Sequence, residues 1–269
     1  MPELPEVETV RRVLNTILPG KKILRVDIRR DNLLDKQPSP EFCKGIVGRN
    51  IIEVGRRGKF LLMQLDKGKI LMLHLGMSGR LLFSGGEEKH TRLKFFLSHD
   101  IALSFHDPRM FGRAAVWTEK QVAELYGRLG PEPLEPDFTA SVLFNLLRRR
   151  KASIKSLLLN QNFIAGLGNI YVDESLFRAG IAPFTTGELL TYEQSEILVH
   201  SIKKVLNSAV IKGGTSISDF MDPRHRHGTF QYRLRVYGRE KQPCPVCGAE
   251  IKKAVIAQRG THWCPHCQI

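Results

Sequence analysis

The sequence predicts an α+β fold: an antiparallel β-sandwich that begins with a helix, then a helical region, then a C-terminal cysteine-rich hairpin. The periodicity of apolar residues and the spacing of cysteines lead to this prediction. Apolar residues recur at helical spacing near the N-terminus, alternate along many short segments between turns, and return to helical spacing beyond residue 137. Two Cys-x-x-Cys pairs lie close to the C-terminus.

The composition limits the class of partner. The 269 residues include 41 Lys and Arg against 27 Asp and Glu, which gives a formal charge of +14. Such an excess indicates a polyanionic partner, with nucleic acid ahead of an anionic membrane surface. The sequence contains no apolar run of about 18 residues and no basic-then-apolar leader, so we expect a cytoplasmic protein.

The N-terminal segment carries the first candidate for chemistry. Removal of Met1 would leave Pro2 with a secondary amine, which is nucleophilic when neutral and titrates near roughly pH 8. Such an amine can attack an electrophilic carbon and form a cationic iminium. Glu3 lies beside it and Glu6 three residues on, in a helix predicted to end near Ile17. These residues are also common helix-capping devices, and local chemistry alone favours that interpretation.

Three features of the β region are candidates for function. Lys59 lies beside a turn, where its ammonium could contact phosphate or a leaving group, and a solvated basic turn is an equal alternative. His74 and Met77 lie near one further turn, and Arg109 and Phe111 near another. Met and Phe at such places are usually packing residues. No glycine-rich phosphate loop follows a strand, so we do not expect nucleotide-dependent chemistry.

The spacing of four cysteines predicts a metal site. Cys244 and Cys247 form one Cys-x-x-Cys pair, and Cys264 and Cys267 form the other. Four thiolates from two tight turns give a closed tetrahedral site with no open position for water, so we expect one structural Zn²⁺. Disulfides and redox chemistry fit a reducing compartment poorly. Cys43 stands alone and is expected to be a small buried hydrophobe.

Composition shifts divide the chain into domains. A proline-rich acidic stretch separates the alternating region from the helical one. We place the boundaries as follows: a β-sandwich domain at 1–130, a linker at 131–137, a helical domain at 138–237 and a zinc finger at 238–269.

The opening stretch Pro2-Glu-Leu-Pro-Glu-Val-Glu-Thr9 resembles that of the formamidopyrimidine-DNA glycosylases, and the resemblance runs on through nearly the whole chain. It implies a bifunctional DNA glycosylase and abasic-site lyase that excises oxidised purines from duplex DNA in base excision repair. In that family the processed proline is the nucleophile and the next glutamate transfers the proton. The resemblance therefore implies a Schiff base on Pro2, proton transfer by Glu3, and β- and δ-elimination assisted by Lys59 and Arg259, with Glu6 positioning the N-terminus.

The same resemblance implies a set of DNA contacts. Met77, Arg109 and Phe111 match the residues that fill the hole left by the damaged base, whose flipping costs a few kcal/mol. A glycine-rich double turn between two helices resembles the family's helix–two-turn–helix element, whose backbone amides bind phosphate. The remaining positions implied as DNA contacts are His74, His90, Arg150, Lys155 and Asn169. For the basic run that contains Arg150, a solvated face is the alternative, and for the glycines it is tight helix packing.

The segment from Gly213 to Tyr232 resembles the family's mobile loop over the everted purine. Its stretch Asp222-Pro-Arg-His-Arg-His-Gly228 is unusually charged, so no individual lesion contact is carried over to it.

Two rival interpretations of function stay open at this point. The endonuclease VIII type removes oxidised pyrimidines with the same proline, but its openings typically read Pro-Glu-Gly-Pro and it lacks the Met/Arg/Phe set. A non-catalytic damage-binding protein would keep the scaffold without the chemistry, and a retained Met1 would favour it.

We expect a monomer that binds duplex DNA containing oxidised purines, contacts no membrane and associates with the nucleoid.

Overall fold

The computed structural model describes residues 2–83, 89–217 and 220–269, so Met1, whose removal is predicted, lies outside the described residues. The chain forms two compact units. The first comprises Met1–Gly127 and Lys212–Thr229, and the second comprises Arg128–Ile211 and Phe230–Ile269.

This division differs from the predicted domains in two respects. The segment Lys212–Thr229, which the sequence assigns to the helical domain, packs with the first unit. Two long-range contacts explain this: Phe220 is buried in the sandwich core, and the N–H of Thr215 donates to the Glu6 carboxylate at 2.7 Å. The cysteine hairpin belongs to the same compact unit as the helices.

Within its described residues, the first unit begins with an amphipathic helix, followed by eight strands and two further helices. In chain order these elements are α1 (Leu4–Ile17), β1 (Ile23–Ile28), α2 (Ser39–Ile46), β2 (Ile51–Arg57), β3 (Phe60–Leu65), β4 (Lys69–His74), β5 (Arg80–Phe83), β6 (Thr91–Leu97), β7 (Ile101–His106), β8 (Arg113–Thr118) and α3 (Glu119–Arg128).

The eight strands form two four-stranded antiparallel sheets, ordered β1-β6-β7-β5 and β2-β3-β4-β8. Alternating residues of each sheet face a shared apolar core, as period-two patterning requires. Helix α1 adds Val7, Val10 and Leu14, which lie on one helical face and are fully buried. The predicted β-sandwich with an N-terminal helix is therefore confirmed.

The second unit contains four helices and a two-stranded hairpin. They are α4 (Ala140–Leu147), α5 (Ile154–Leu159), α6 (Asn169–Ala179), α7 (Tyr192–Ile211), β9 (Lys252–Ile256) and β10 (Arg259–Trp263).

The ends of these helices follow ordinary capping chemistry. The hydroxyl of Ser153 caps α5 by accepting the Ser156 N–H, and Gly180 ends α6 in the left-handed region at φ +72°. Two residues at positive φ, Ala257 and Gln258, connect β9 to β10. Among the helices of the described ranges, none combines the length and apolar character needed to cross a membrane.

Candidate functional site

The predicted site residues fall in both units. The first unit holds Pro2, Glu3, Glu6, Lys59, His74, Met77, His90, Arg109 and Phe111. The second unit holds Arg150, Lys155, Asn169, Arg259 and the four paired cysteines.

The N-terminal dipeptide is held by a buried carboxylate. Glu3 is the N-cap of α1 and is only 2% exposed, and Pro2 beside it is buried. One oxygen of Glu6 accepts the Glu3 N–H at 2.8 Å, and the other accepts the Thr215 N–H at 2.7 Å. Because both oxygens are engaged, the Glu6 carboxylate fixes the start of the chain against a segment more than 200 residues later.

Close backbone packing supports that contact. Gly214 has a φ of +82°, and a Cβ on it would lie 2.7 Å from the Glu6 Oε1. A Cβ on Gly228 would in turn meet the Gly214 carbonyl oxygen at 2.2 Å. Only glycine therefore fits at these two places, and the segment can approach the N-terminus as closely as the Glu6 contact requires.

The turn that carries Lys59 is tied to α1. Arg56 donates through Nε to the Glu8 carboxylate at 3.1 Å and through Nη1 to the Gly58 carbonyl at 2.9 Å. Lys59 follows directly and is 8% exposed. Thus α1, which begins immediately after Pro2 and Glu3, also positions the turn that bears Lys59.

The Glu8 carboxyl is ionised at neutral pH and well into the acid range, because its pKa is about 2. Burial acts to raise its pKa, but hydrogen bonds from Arg11 and Arg12 outweigh burial and lower the pKa to about 2. The charges of Arg11 and Arg56 contribute in the same direction.

His74, at the end of β4, is neutral at physiological pH. Burial lowers its pKa to about 4, and the charges of Lys59 and Arg113 add to the shift. Its Nδ1 accepts the Gly76 N–H at 3.1 Å, so the ring proton sits on Nε2. A neutral imidazole of this tautomer can donate one hydrogen bond, for example to a phosphate oxygen.

The structure brings the two loops that carry Met77 and Phe111 together. A Cβ on Gly76, which has a φ of +61°, would lie 2.4 Å from the backbone carbon of Phe111. Between the loops lies Asp107, fully buried, which accepts the Ser78 hydroxyl at 2.6 Å and the Gly112 N–H at 2.7 Å. The two loops are therefore one backbone assembly.

The tips of this assembly face solvent. Phe111 is 56% exposed, and the Arg109 guanidinium lies 5.5 Å from the centre of its ring. Met77 is half-buried, and Met110 beside Phe111 is exposed. His90 is exposed at φ +72°, and its Nδ1 lies 3.4 Å from a nitrogen of Arg92. An exposed aromatic ring beside a guanidinium, supported by a rigid backbone, suits insertion between stacked nucleobases.

In the second unit, Arg150 and Arg259 are exposed while Lys155 is not. The Lys155 ammonium lies 2.6 Å from Asp173 Oδ1 and 3.2 Å from the Gly260 carbonyl, and the side chain is completely buried. This differs from the predicted phosphate contact. A lysine that is buried on α5 binds an internal carboxylate because a buried charge needs a partner.

Asn169, the first residue of α6, is also directed to the hairpin. Its Nδ2 donates to the same Gly260 carbonyl at 2.9 Å. Half-buried, it stays at the N-terminal end of α6, where backbone amides favour an anion.

The four paired cysteines form a cluster that fits a zinc ion. Their sulfur atoms all lie within 4.8 Å of one another. The Cys244 and Cys267 sulfurs are 3.8 Å apart, and those of Cys247 and Cys264 are 3.4 Å apart. Zn–S bonds of about 2.3 Å in a tetrahedron place the sulfurs roughly 3.8 Å apart. No histidine of the described residues joins the cluster.

The charged segment near residue 222 forms hydrogen bonds of its own and with strand β5. The Asp222 carboxylate accepts the backbone N–H groups of Arg224 and Arg226 and the Arg226 Nε, at 2.8 to 3.0 Å. The Phe83 N–H donates to the Pro223 carbonyl at 2.9 Å.

Cys43, predicted to be buried, is half-buried, and burial raises the pKa of its thiol.

Sequence reasoning assigned no role to Asp107 or Asp173, the two aspartates that position these features. Asp107 has a weak signal, since it begins the turn that carries Arg109. Asp173 has a clearer one, because the charged pair Asp173-Glu174 lies between the apolar residues of α6. Which groups they bind depends on chain segments that are distant in sequence.

Comparison with known families matches three regions of the chain. Residues 1–114 match the formamidopyrimidine-DNA glycosylase N-terminal domain, residues 129–221 the formamidopyrimidine-DNA glycosylase H2TH domain, and residues 241–269 a zinc finger found in FPG and IleRS. The last match agrees with the sulfur geometry, and the prediction of one structural Zn²⁺ is confirmed.

Individual proteins are similar over the full length. The formamidopyrimidine-DNA glycosylase of Heliobacterium modesticaldum is 44% identical, with all of both chains covered. The crystal structure of the MutM (FPG) protein from Thermus thermophilus is 42% identical, with 99% of this chain and 98% of that chain covered and a TM-score of 0.90. A mutant of the Lactococcus lactis protein in complex with Fapy-dG containing DNA is 38% identical, with 99% of each chain covered and a TM-score of 0.92.

Proposed function

The chain belongs to the formamidopyrimidine-DNA glycosylase family, and we propose that its Pro2 and Glu3 carry out the chemistry of that family. The protein is a DNA glycosylase that excises damaged purines in repair and an abasic-site lyase, and its partner is DNA. The observation that carries the residue assignment is the Glu6 carboxylate, which holds the Glu3 N–H and the Thr215 N–H on its two oxygens. A nucleophile and an acid must be held rigidly to act together.

The proposed reaction begins with the Pro2 amine freed by loss of Met1. Its nitrogen forms a bond to C1′ of the damaged nucleoside while the bond from C1′ to the base breaks. Glu3 protonates the sugar ring oxygen, the ring opens, and the product is a cationic iminium between Pro2 and C1′.

Strand cleavage follows from the iminium. The positive charge makes the C2′ proton acidic, and loss of that proton expels the 3′ phosphate by β-elimination. A δ-elimination then expels the 5′ phosphate, and hydrolysis of the iminium releases Pro2. Lys59 and Arg259, both cations, bind the phosphates or the opened sugar and assist these steps.

DNA binding uses residues of both units. Phe111 and Met77 wedge into the base stack, and Arg109 pairs with the orphaned base. His74, His90, Arg150 and the α6 terminus at Asn169 contact phosphates. For Lys155 we propose an indirect role, because its ammonium is engaged by Asp173.

We propose 8-oxoguanine and formamidopyrimidines as the substrates, and a cytoplasmic, nucleoid-associated monomer as the working form. The experiment that tests the function is borohydride trapping on a duplex with 8-oxoguanine opposite cytosine, read by intact mass and peptide mapping. We expect one covalent adduct on Pro2. An adduct on Lys59 would refute the assigned nucleophile, and efficient trapping only on oxidised pyrimidines would refute the substrate class. Lesion binding without any adduct would indicate a non-catalytic damage-binding protein.

A further inference from the structure

A buried ion pair joins α5 to α6 in the second unit. Lys155 and Asp173 both have side chains with no solvent exposure, and their Nζ and Oδ1 are 2.6 Å apart. Burial of two charges is expensive, and apolar residues of similar size are often as stable or more stable. Their presence therefore calls for a role beyond the stability of the helix pair.

Both members of the pair extend to strand β10. The second oxygen of Asp173 accepts the backbone N–H of His262 at 2.9 Å. The Lys155 ammonium and the Asn169 amide both donate to the Gly260 carbonyl, at 3.2 and 2.9 Å. Three side chains of the helical region thus hold the β10 backbone at two groups on one edge of the strand, the Gly260 carbonyl and the His262 N–H.

The residue immediately before Gly260 is Arg259, which is exposed at the start of β10. A two-residue turn leads into it, and its register partner is Ile256 across the hairpin. The zinc cluster lies at the other end of β10, next to Trp263. Zinc anchors one end of the strand, and the Lys155–Asp173–Asn169 contacts anchor the end that bears Arg259.

We propose that Asp173 is a positioning residue which, through Lys155 and the His262 N–H, fixes the β10 backbone and thereby aims the Arg259 guanidinium at its phosphate during strand cleavage. This inference rests on the role of Arg259 in the proposed function. In this arrangement Lys155 links Asp173 to the Gly260 carbonyl, and Asn169 is a second donor to that carbonyl.

The test compares four proteins: Asp173→Asn, Arg259→Ala, the combination of both, and a control, Glu240→Gln. Asparagine keeps an oxygen for the His262 N–H but removes the charge that holds Lys155. Glu240→Gln makes the same chemical change at an exposed carboxylate, 3.0 Å from Lys253 of the same hairpin. For each protein, zinc content, lesion-DNA affinity, Pro2 trapping and single-turnover strand cleavage at a preformed abasic site are measured.

We expect Asp173→Asn to slow strand cleavage about tenfold or more, because a misplacement of about 1 Å can cost roughly 10²-fold in rate. Zinc should stay at one per chain, and the control should match the wild type. In the Arg259→Ala background, Asp173→Asn should add less than about twofold, since residues that act through one another are not additive.

The outcomes separate this inference from the proposed function. Normal strand cleavage by Arg259→Ala would overturn the assigned role of Arg259, and missing Pro2 adducts would overturn the proposed reaction. A defective Arg259→Ala protein beside a normal Asp173→Asn protein, or fully additive losses, would overturn the positioning role.

A second variant covers the case in which Asp173→Asn loses zinc. The pair Lys155→Met with Asp173→Asn leaves no buried charge unpaired, so the unit should fold and retain zinc. It still lacks the ammonium that holds Gly260, and slow cleavage with zinc bound would support the inference. Wild-type cleavage in this protein, or loss of zinc here as well, would show that the pair serves folding of the hairpin and not the aim of Arg259.

Discussion

Replacing Gly214 by alanine tests the N-terminal arrangement most directly, because Gly213 provides a matched control. Both glycines have a positive φ, +73° at Gly213 and +82° at Gly214. A Cβ on Gly213 would meet only the Gly228 Cα at an ordinary 3.5 Å, whereas a Cβ on Gly214 would lie 2.7 Å from the Glu6 Oε1 and 3.0 Å from its Cγ. The two variants share the backbone strain, and only Gly214→Ala displaces the Glu6 carboxylate.

The expected magnitudes follow from these contacts. Alanine at positive φ costs about 1–2 kcal/mol, and reduced entropy of the unfolded chain offsets about 0.4–1 kcal/mol of it. Gly213→Ala should therefore lower the free energy of unfolding by about 1 kcal/mol. Gly214→Ala should also lose a hydrogen bond to the Glu6 carboxylate, worth about 1.5–3 kcal/mol, for a total of about 2.5–4 kcal/mol.

The functional effect should be larger than the stability effect suggests. Glu6 holds the Glu3 N–H, so its displacement moves the proposed acid and the nucleophile beside it, and a shift of about 1 Å can cost roughly 10²-fold in rate. Denaturant unfolding and single-turnover excision of 8-oxoguanine, measured on both variants at a temperature where both are folded, give the two numbers. If Gly213→Ala and Gly214→Ala lost equal stability and equal activity, the positioning role of Glu6 would have to be abandoned.

Three further predictions concern other parts of the molecule. Glu3→Gln should bind lesion DNA yet lose excision by about 10²–10⁴-fold, with a smaller loss in cleavage of a preformed abasic site; equal excision by mutant and wild type would exclude Glu3 as the acid. Phe111→Ala should slow excision of intact 8-oxoguanine far more than abasic-site cleavage, whereas Tyr126→Ala, an exposed aromatic of the same unit, should change neither. The folded-state pKa of Glu8, about 2, lies below its ordinary value of 4.5, so its stabilisation is present above pH 4.5 and lost as pH falls towards 2. Glu8→Gln should reduce this loss of unfolding free energy at low pH, and an unchanged pH dependence would contradict the role of Arg11, Arg12 and Arg56 in stabilising the Glu8 carboxylate.

Local chemistry explains which parts of the fold could be predicted from the sequence. Helix α1 and the strands follow apolar periodicity, and the cysteine cluster follows ligand spacing, so each depends on residues close in the chain. The membership of Lys212–Thr229 in the first unit could not be predicted in this way. It depends on the burial of Phe220 in a sandwich core built from residues more than 100 positions earlier.

The surroundings of Lys155 could not be predicted for a related physical reason, and its predicted phosphate contact stays untested. From the sequence, a lysine in a basic chain beside a glycine-rich turn is a reasonable phosphate ligand. Whether it reaches solvent depends on the orientation of α5 and on the presence of a carboxylate opposite it, and Asp173 is 18 residues away on another helix. Arg150 and Arg259 are also cationic but are exposed, and for them the prediction of phosphate contact stays untested.

Three buried carboxylates show the same arrangement beside the proposed functional residues. Glu6 joins Glu3 to Thr215, Asp107 joins the Met77 loop to the Phe111 loop, and Asp173 joins Lys155 to strand β10. In each case the two oxygens bind two different chain segments. A buried carboxylate that loses either partner keeps the cost of its own desolvation, so each segment can move only at the expense of the contact to the other. The proposed acid, the proposed wedge and the strand that bears Arg259 are therefore each held by a carboxylate to which we assign no chemical step. Substitutions at these carboxylates should alter the geometry of catalysis before they alter the affinity for undamaged DNA, which depends on exposed cations.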